Sequence, residues 1–434
     1  LRVPAVFIDK NAPVLHEEIR LFFQEHLGFG DFIFRLPDGR EIGRAANLRQ
    51  LETILPDIPE ASIRYHGRRN HFSGWLMARS EILLAYRLRP VKVTDFASTS
   101  QLKAYLVVCL TERRRGRQRG LVTDFDPEHF DPDADFVKIG NGSMGGKARG
   151  LAFMASRLKA AADGTAEAPG IQIGVPQTCV ISTEAFDAFI EENGLRDIAS
   201  GEKSDAHIER VFQAGHLPAF LQQAIDLFLT HADAPLAVRS SSLLEDAQHQ
   251  PFTGLYATYL LPNCHPDGNV RRRQFEWAVK QIYASTFYAK VRRYARSTGY
   301  RIEQEKMAIL VQRLTGRETG GYFCPDISGQ AFSFNFYPVK PMKAEDGIAM
   351  VAAGMGAPDD DKIRALRFSP RYPQKLPQFS TVEDILQNAQ RHFMALDLKS
   401  ARRRVDKQVS GGLQKLAIDD WPDHPFLKQL SSTY

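Results

Sequence analysis

The chain has 434 residues, 43% of them apolar and 25% charged, with 56 basic against 51 acidic side chains. At ~100–200 residues per domain this length predicts two or three domains with their own cores, and the composition excludes a disordered chain, a collagen-like fibre and a coiled coil. No apolar run approaches the ~18 residues of a membrane helix, which excludes a membrane-spanning protein, and a net charge of +5 is too small for a dedicated nucleic-acid binder.

The chain opens LRVPAVFIDKNAP, without Met and without an apolar core of signal-peptide length. A non-secreted chain is expected, preceded in nature by further residues. Apolar spacing at Leu15, Ile19, Phe22, Phe23 and Leu27 predicts a helix, and DFIFRLPDGREI then predicts a hairpin about Pro37, Asp38 and Gly39. Phe72, Trp75, Leu76, Arg79, Ile82, Leu83 and Tyr86 share the face of one amphipathic helix. The run Arg113, Arg114, Arg115, Arg117, Arg119 reads as a solvated loop, with a phosphate-contacting patch as its functional alternative. The acidic, Pro-bearing stretch from Thr123 to Phe136 has no helical or strand period and lacks the turn glycine of a calcium loop, so it reads as a linker. Domains are therefore expected at 1–135, an accessory domain, and 136–434.

Strand and helix patterns alternate after that boundary. Phe136–Ile139, Gln177–Ile181, Leu236–Arg239, Met307–Gln312 and Gly347–Ala353 read as strands; Lys147–Ala162, Thr183–Glu191 and Trp277–Tyr294 read as helices. An α/β or α+β body with a covered sheet is implied. Cys109, Cys179, Cys264 and Cys324 have no paired zinc spacing and read as free thiols in a reducing cytoplasm.

Three stretches carry candidate chemistry. In IGNGSMGGKARGLAF, the glycines Gly140, Gly142, Gly145 and Gly146 lie between a strand and a helix, with Lys147 in the helix's first turn. Glycine lets backbone approach an anion, a helix N-terminus offers amides and partial positive charge, and Lys147 adds a full one: a phosphate cradle. Gly140, Gly142 and Gly145 match GxGxxG, but the next strand ends at Ser182 and Thr183 without a ribose-binding acid. A P-loop fails at both ends, where Asn141 and Ala148 replace the required Gly and Ser/Thr. The bland alternative is a Gly-rich turn without a ligand. In PLAVRSSSLLED, a buried strand delivers Arg239 beside Ser240, Ser241 and Ser242, which suits a polyphosphate, while pairing of Arg239 with Glu245 or Asp246 is the structural alternative. In EKMAILVQRLTG, Gln312 ends a strand where an adenine ring can meet backbone groups.

These stretches, with ISGQAFSFNFYP and GIAMVAAGMGAPDDDKIRALRFSPRYP, resemble in order the nucleotide-binding part of the phosphoenolpyruvate synthase and pyruvate phosphate dikinase family, from Phe136 to about Pro373. GFGDFIFRLPDGREI and RRNHFSGWLMARSEILLA also resemble the leader region of a bacterial subgroup. The resemblance implies an α+β, ATP-grasp-like, two-lobed nucleotide-binding domain behind a mostly helical accessory domain. It implies ATP with Lys147 and Arg239 on its phosphates, lined by Gly142, Gly145, Gly146 and Ser240, with Gln312 near adenine or ribose. It further implies Mg²⁺ and passage of a phosphoryl group to a histidine on a separate domain and then to pyruvate. Two departures stand out. Ala357 follows Gly354, Met355 and Gly356 where such synthases often carry a metal-binding Glu, which leaves Asp361, beside Asp359 and Asp360, as the candidate ligand. The Gly-rich Thr-Ser-His-Ala signature is missing, and Thr230, His231 and Ala232 echo it without its glycines, so His231 reads as a surface loop residue. The expectation is an ATP-dependent phosphotransferase domain, incomplete as this chain alone; the alternative is a nucleotide sensor that has lost its metal ligand.

Overall fold

The computed structural model describes residues 15, 19, 22, 30–118, 121–128, 130–162, 173–198, 203–242, 256–298, 301–302, 305–355, 365–378, 381–405 and 412–418. The chain folds as two compact units, Leu1–Arg119 and Gly120–Tyr434.

In the first unit the expected hairpin forms. Strand β1 (Phe32–Arg35) pairs antiparallel with β2 (Glu41–Ala45), and Gly39 turns at φ +89, which a side chain rarely adopts. Leu15, Ile19 and Phe22 are helical, while Phe23 and Leu27 lie outside the described residues. Helices Leu48–Ile54, Glu60–Arg68, His71–Ala78, Ile82–Leu88 and Thr99–Gln118 close over the hairpin. Phe34, Leu51, Ile63, Leu76 and Leu110 are buried in one core, each such burial contributing about 1.5–3 kcal/mol.

Two expectations change here. The single amphipathic helix through residues 72–86 is two helices, because Ser80 takes φ +60 and Glu81 N turns back to Leu76 O at 3.0 Å. Glu81 is buried and accepts from Arg113 Nε at 2.7 Å, so the break seats an ion pair that apolar spacing does not register. The arginine run starts inside helix Thr99–Gln118 and is not a loop; Arg114 Nε reaches Glu52 Oε2 at 2.9 Å. Both of these arginines are therefore structural cations.

The second unit is α+β. Strands β3 (Thr123–Asp124), β4 (Phe136–Ile139), β5 (Thr178–Ile181), β6 (Leu236–Ser242), β7 (Thr258–Leu261) and β8 (Met307–Arg313) form one sheet in the order β3-β4-β5-β8-β6-β7. The β3-β4-β5 pairs are parallel and the rest antiparallel. The stretch that reads as a linker thus supplies the edge strand β3, within the unit that starts at Gly120.

Both faces of this sheet are covered, so its strands read as apolar runs. One face carries Ile139, Cys179, Ile181, Val238, Ile309 and Val311 into the main core, against helices Thr183–Glu192, Asp205–Ala214, Ala219–His231 and Gly268–Ser285. The other face places Phe136, Val180 and Leu310 under Ala148 of helix Gly145–Ala162. The helix expected over 277–294 ends at Ser285 and restarts as Ala289–Thr298.

Beyond β8 come β9 (Arg317–Thr319), β10 (Tyr322–Cys324), β11 (Ile327–Phe332), β12 (Ile348–Ala353), β13 (Leu366–Phe368), β14 (His392–Asp397) and β15 (Leu413–Ala417). They build the sheets β15-β14-β10-β9 and β11-β12-β13, joined by a bridge between Met355 and Met394. Cys109, Cys179, Cys264 and Cys324 are free thiols, and burial pushes Cys179 up to about 12. No described helix is long and apolar enough to cross a membrane.

Candidate functional site

Strand register brings two of the sequence candidates, Arg239 of β6 and Gln312 of β8, onto neighbouring strands. Thr178 of β5 lies opposite Gln312 of β8, and Gln312 lies opposite Ala237 of β6. Residues two apart return to the same face, so Thr178, Gln312 and Arg239 share one face. Their side chains form a chain: Arg239 Nη1 donates to Gln312 Oε1 at 3.4 Å, and Gln312 Nε2 donates to Thr178 Oγ1 at 3.4 Å. The Thr178 hydroxyl donates to Pro176 O at 2.7 Å. A carbonyl only accepts, so the Thr178 proton is committed and its lone pair receives the Gln312 amide. The amide oxygen is thereby turned towards Arg239.

Lys147 enters from the other element. It stands in the first turn of helix Gly145–Ala162, with Nζ 3.5 Å from Ser240 Oγ, one residue beyond Arg239. Ser241 fixes this approach, because its hydroxyl donates to Met144 O at 2.8 Å and accepts from Ala148 N at 3.1 Å. Gly145 makes it sterically possible: at φ +74, a Cβ there would sit 1.6 Å from Ser241 O. Arg239 meets Gln312, and Glu245 and Asp246, its alternative partners from the sequence, lie outside the described residues.

The glycine-rich loop differs from the open cradle the sequence suggests. Asn141 N donates to Glu184 Oε2, Gly142 N to Ser182 Oγ at 3.3 Å, Ser143 N to Thr183 Oγ1 at 3.0 Å, and Gly145 N to Ser143 Oγ at 3.2 Å. Those amides hold protein oxygens, and the loop is pinned to the junction between β5 and helix Thr183–Glu192. Gly142 is required by the same close approach, since a Cβ would lie 2.5 Å from Glu184 N. The run Ser182, Thr183, Glu184 is what sequence reasoning passed over: its two hydroxyls and the Glu184 carboxylate anchor the loop. Gly146 sits in the helix's first turn beside Lys147. Lys147, on the helix, and Arg239, on the strand, are two cationic groups brought to this junction.

Among the described residues no group of three or more His, Cys, Asp and Glu is arranged to hold a metal ion. Asp361, Asp359, Asp360 and Ala357 lie outside the described residues. His231 is the exposed last residue of helix Ala219–His231 rather than a loop residue, and its Nδ1 is 3.0 Å from Leu227 O.

Comparison with known proteins bears on the same stretch. The family model for the pyruvate phosphate dikinase AMP/ATP-binding domain matches residues 141–360, half of the chain. Over 191 residues the chain is 28% identical to the uncharacterized phosphotransferase YvkC of Bacillus subtilis (strain 168), covering 42% of this chain and 19% of that protein. Over 199 residues it is 30% identical to the phosphoenolpyruvate synthase of Aeropyrum pernix, covering 41% of this chain and 22% of that protein. The matched stretch thus spans about a fifth of each relative's length.

Proposed function

Because the chain belongs to the family of the pyruvate phosphate dikinase AMP/ATP-binding domain, we propose that Lys147 and Arg239 hold the phosphates of ATP in its second unit while Gln312 meets the adenine or ribose. The observation that carries this reading is the convergence of one cation from a helix N-terminus and one from a strand on adjacent positions, Ser240 and Arg239. A polyphosphate needs such clamping: guanidinium and ammonium contacts to phosphate oxygens are charge-assisted, and a helix N-terminus adds to them. In this reading the domain is ATP-grasp-like, and the phosphoryl group travels to a histidine on a separate domain and then to pyruvate.

Mg²⁺ accompanies ATP in the proposal and would supply positive charge to offset that of the phosphates. Asp361 is its sequence candidate. Asp361→Asn is expected to reduce the Mg²⁺ dependence of ATP binding while leaving metal-free binding nearly intact, as calorimetric titration with and without Mg²⁺ reads directly.

Each charge-assisted phosphate contact contributes about 1.5–3 kcal/mol. Lys147→Ala and Arg239→Ala are each expected to weaken ATP binding tenfold or more, and unchanged affinity in both folded variants overturns the assignment. The nucleotide-sensor reading draws on the loop amides already engaged by Ser182, Thr183 and Glu184. The two readings part on product: a phosphotransferase consumes ATP when supplied with a phosphohistidine domain, and a sensor only binds it. No described histidine lies in the Lys147–Arg239 chain of contacts, so the purified chain with ATP and pyruvate should form no phosphoenolpyruvate.

A further inference from the structure

Three adjacent strands of the second unit carry side-chain hydrogen bonds that all run in one direction. β8 lies between β5 and β6, with Gln312 opposite Thr178 on one side and opposite Ala237 on the other. The backbone beneath is tied on both flanks: Arg313 N donates to Gln177 O at 3.0 Å, and Thr178 N donates to Asp135 O at 2.9 Å. The strand positions are therefore set, and each side chain is directed by its partners.

The relay starts at Arg239 Nη1, which donates to Gln312 Oε1. Gln312 Nε2 donates to Thr178 Oγ1, and the Thr178 hydroxyl donates to Pro176 O. Thr178 and Gln312 are both buried, so water is a poor substitute for either partner. A primary amide turned by 180° keeps its shape and exchanges its donor and acceptor ends. Turned in this way, Gln312 would set its NH₂ against the Arg239 guanidinium, donor facing donor. Its oxygen would face the Thr178 oxygen, whose one proton already serves Pro176 O. Both ends of the turned amide would lose their hydrogen bonds in a buried setting, which is strongly unfavourable. The Thr178 hydroxyl thus selects one orientation of Gln312.

The consequence falls on Arg239. A guanidinium carries its N–H donors in a rigid planar fork, so holding one nitrogen fixes where the others point. A cation anchored before the ligand arrives gives up less rotamer freedom on binding it. We infer that Thr178 is a positioning residue of the nucleotide site, orienting the Arg239 guanidinium towards phosphate through the Gln312 amide. This role rests on the nucleotide reading of Lys147 and Arg239. The competing role is structural, with the hydroxyl serving only to satisfy two buried groups.

ATP titrated calorimetrically into the full chain separates the two roles. Thr178→Val keeps the β-branched shape and removes the hydroxyl; it is expected to weaken ATP binding about three- to tenfold. Thr178→Ser restores the hydroxyl and should return affinity to within about twofold of the parent. In the Arg239→Ala background Thr178→Val should change affinity by less than about twofold, because the relay then has no guanidinium to direct. In the Lys147→Ala background its full effect should remain. An equal loss in the Arg239→Ala background, or no recovery in Thr178→Ser, overturns the positioning role. Should Thr178→Val fail to fold, the parent decides. With ¹⁵N-labelled Arg and Gln, the Arg239 Nη and Gln312 amide protons, assigned by their loss in Arg239→Ala and Gln312→Leu, are expected to be resolved and slow to exchange, and averaged signals overturn the role. Arg239→Ala that binds ATP as the parent does overturns the nucleotide reading and this role with it; weakened binding in Arg239→Ala beside parental binding in Thr178→Val overturns the positioning role alone.

Discussion

The buried His66 and the more exposed His71 beside it form a pair whose protonation is dictated by their neighbours. Arg35 N donates to His66 Nε2 at 2.8 Å, so the His66 proton sits on Nδ1 and points to His71 Nδ1 at 2.9 Å. His66 is only 3% exposed, and burial, followed by the nearness of His71 and Arg35, pushes its pKa down to about 3; burial also lowers that of His71. Above the ordinary histidine value of about 6.5 both folded and unfolded chains are neutral at His66, and stability does not depend on this group. Below it the unfolded chain binds a proton that the folded chain refuses, so stability falls from pH 6.5 towards pH 3 by about 1.4 kcal/mol per pH unit. Urea titrations of the chain at pH 7 and pH 5 should therefore differ by about 2 kcal/mol from His66, and His66→Gln should flatten that slope whatever it does to absolute stability.

At the scale of elements, the tight contact is between the start of helix Gly145–Ala162 and β6. Gly145→Ala would drive a Cβ into the Ser241 backbone from a left-handed backbone angle. Overpacking of this kind costs about 1–3 kcal/mol or more, and the strained φ about 1–2 kcal/mol besides. Gly39→Ala, also at positive φ but with nothing near its Cβ, shares only the strain. Circular dichroism melts should rank Gly145→Ala well below Gly39→Ala. Strands such as Met307–Arg313 were legible in the sequence because a sheet covered on both faces needs unbroken apolar runs, and the hairpin was legible from Pro37, Asp38 and Gly39. Helix breaks at Ser80 and after Ser285 were not, because apolar spacing continues through them while polar groups such as Glu81 set the turn. At the site, Lys147, Arg239 and Gln312 were legible as charges and donors at element ends. The engagement of the loop amides was not, since it depends on Ser182 and Thr183 arriving some 40 residues later in the chain.

For the whole molecule, the division into Leu1–Arg119 and Gly120–Tyr434 separates two kinds of response. The histidine pair belongs to the first unit and the Lys147–Arg239 cluster to the second. Units with their own cores unfold as their own transitions. Scanning calorimetry should therefore show one transition that falls on acidification from pH 7 to 5, and another that rises with ATP by about 2.7 kcal/mol in stability at a hundredfold excess over Kd. A single transition responding to both would show that the units unfold as one.

Val311 and Gln312 are successive residues of β8, yet one lies in the main core and the other joins the chain of contacts to Arg239 on the reverse side. A strand used on both sides is read like a two-sided tape: substitutions alter one side at a time, but inserting or deleting a single residue exchanges the sides wholesale. Such a change in β8 would turn Gln312 into the main core and carry Val311 to the face that packs against helix Gly145–Ala162. Descendants of this chain are thus free to vary β8 letter by letter and are constrained never to change its length by one.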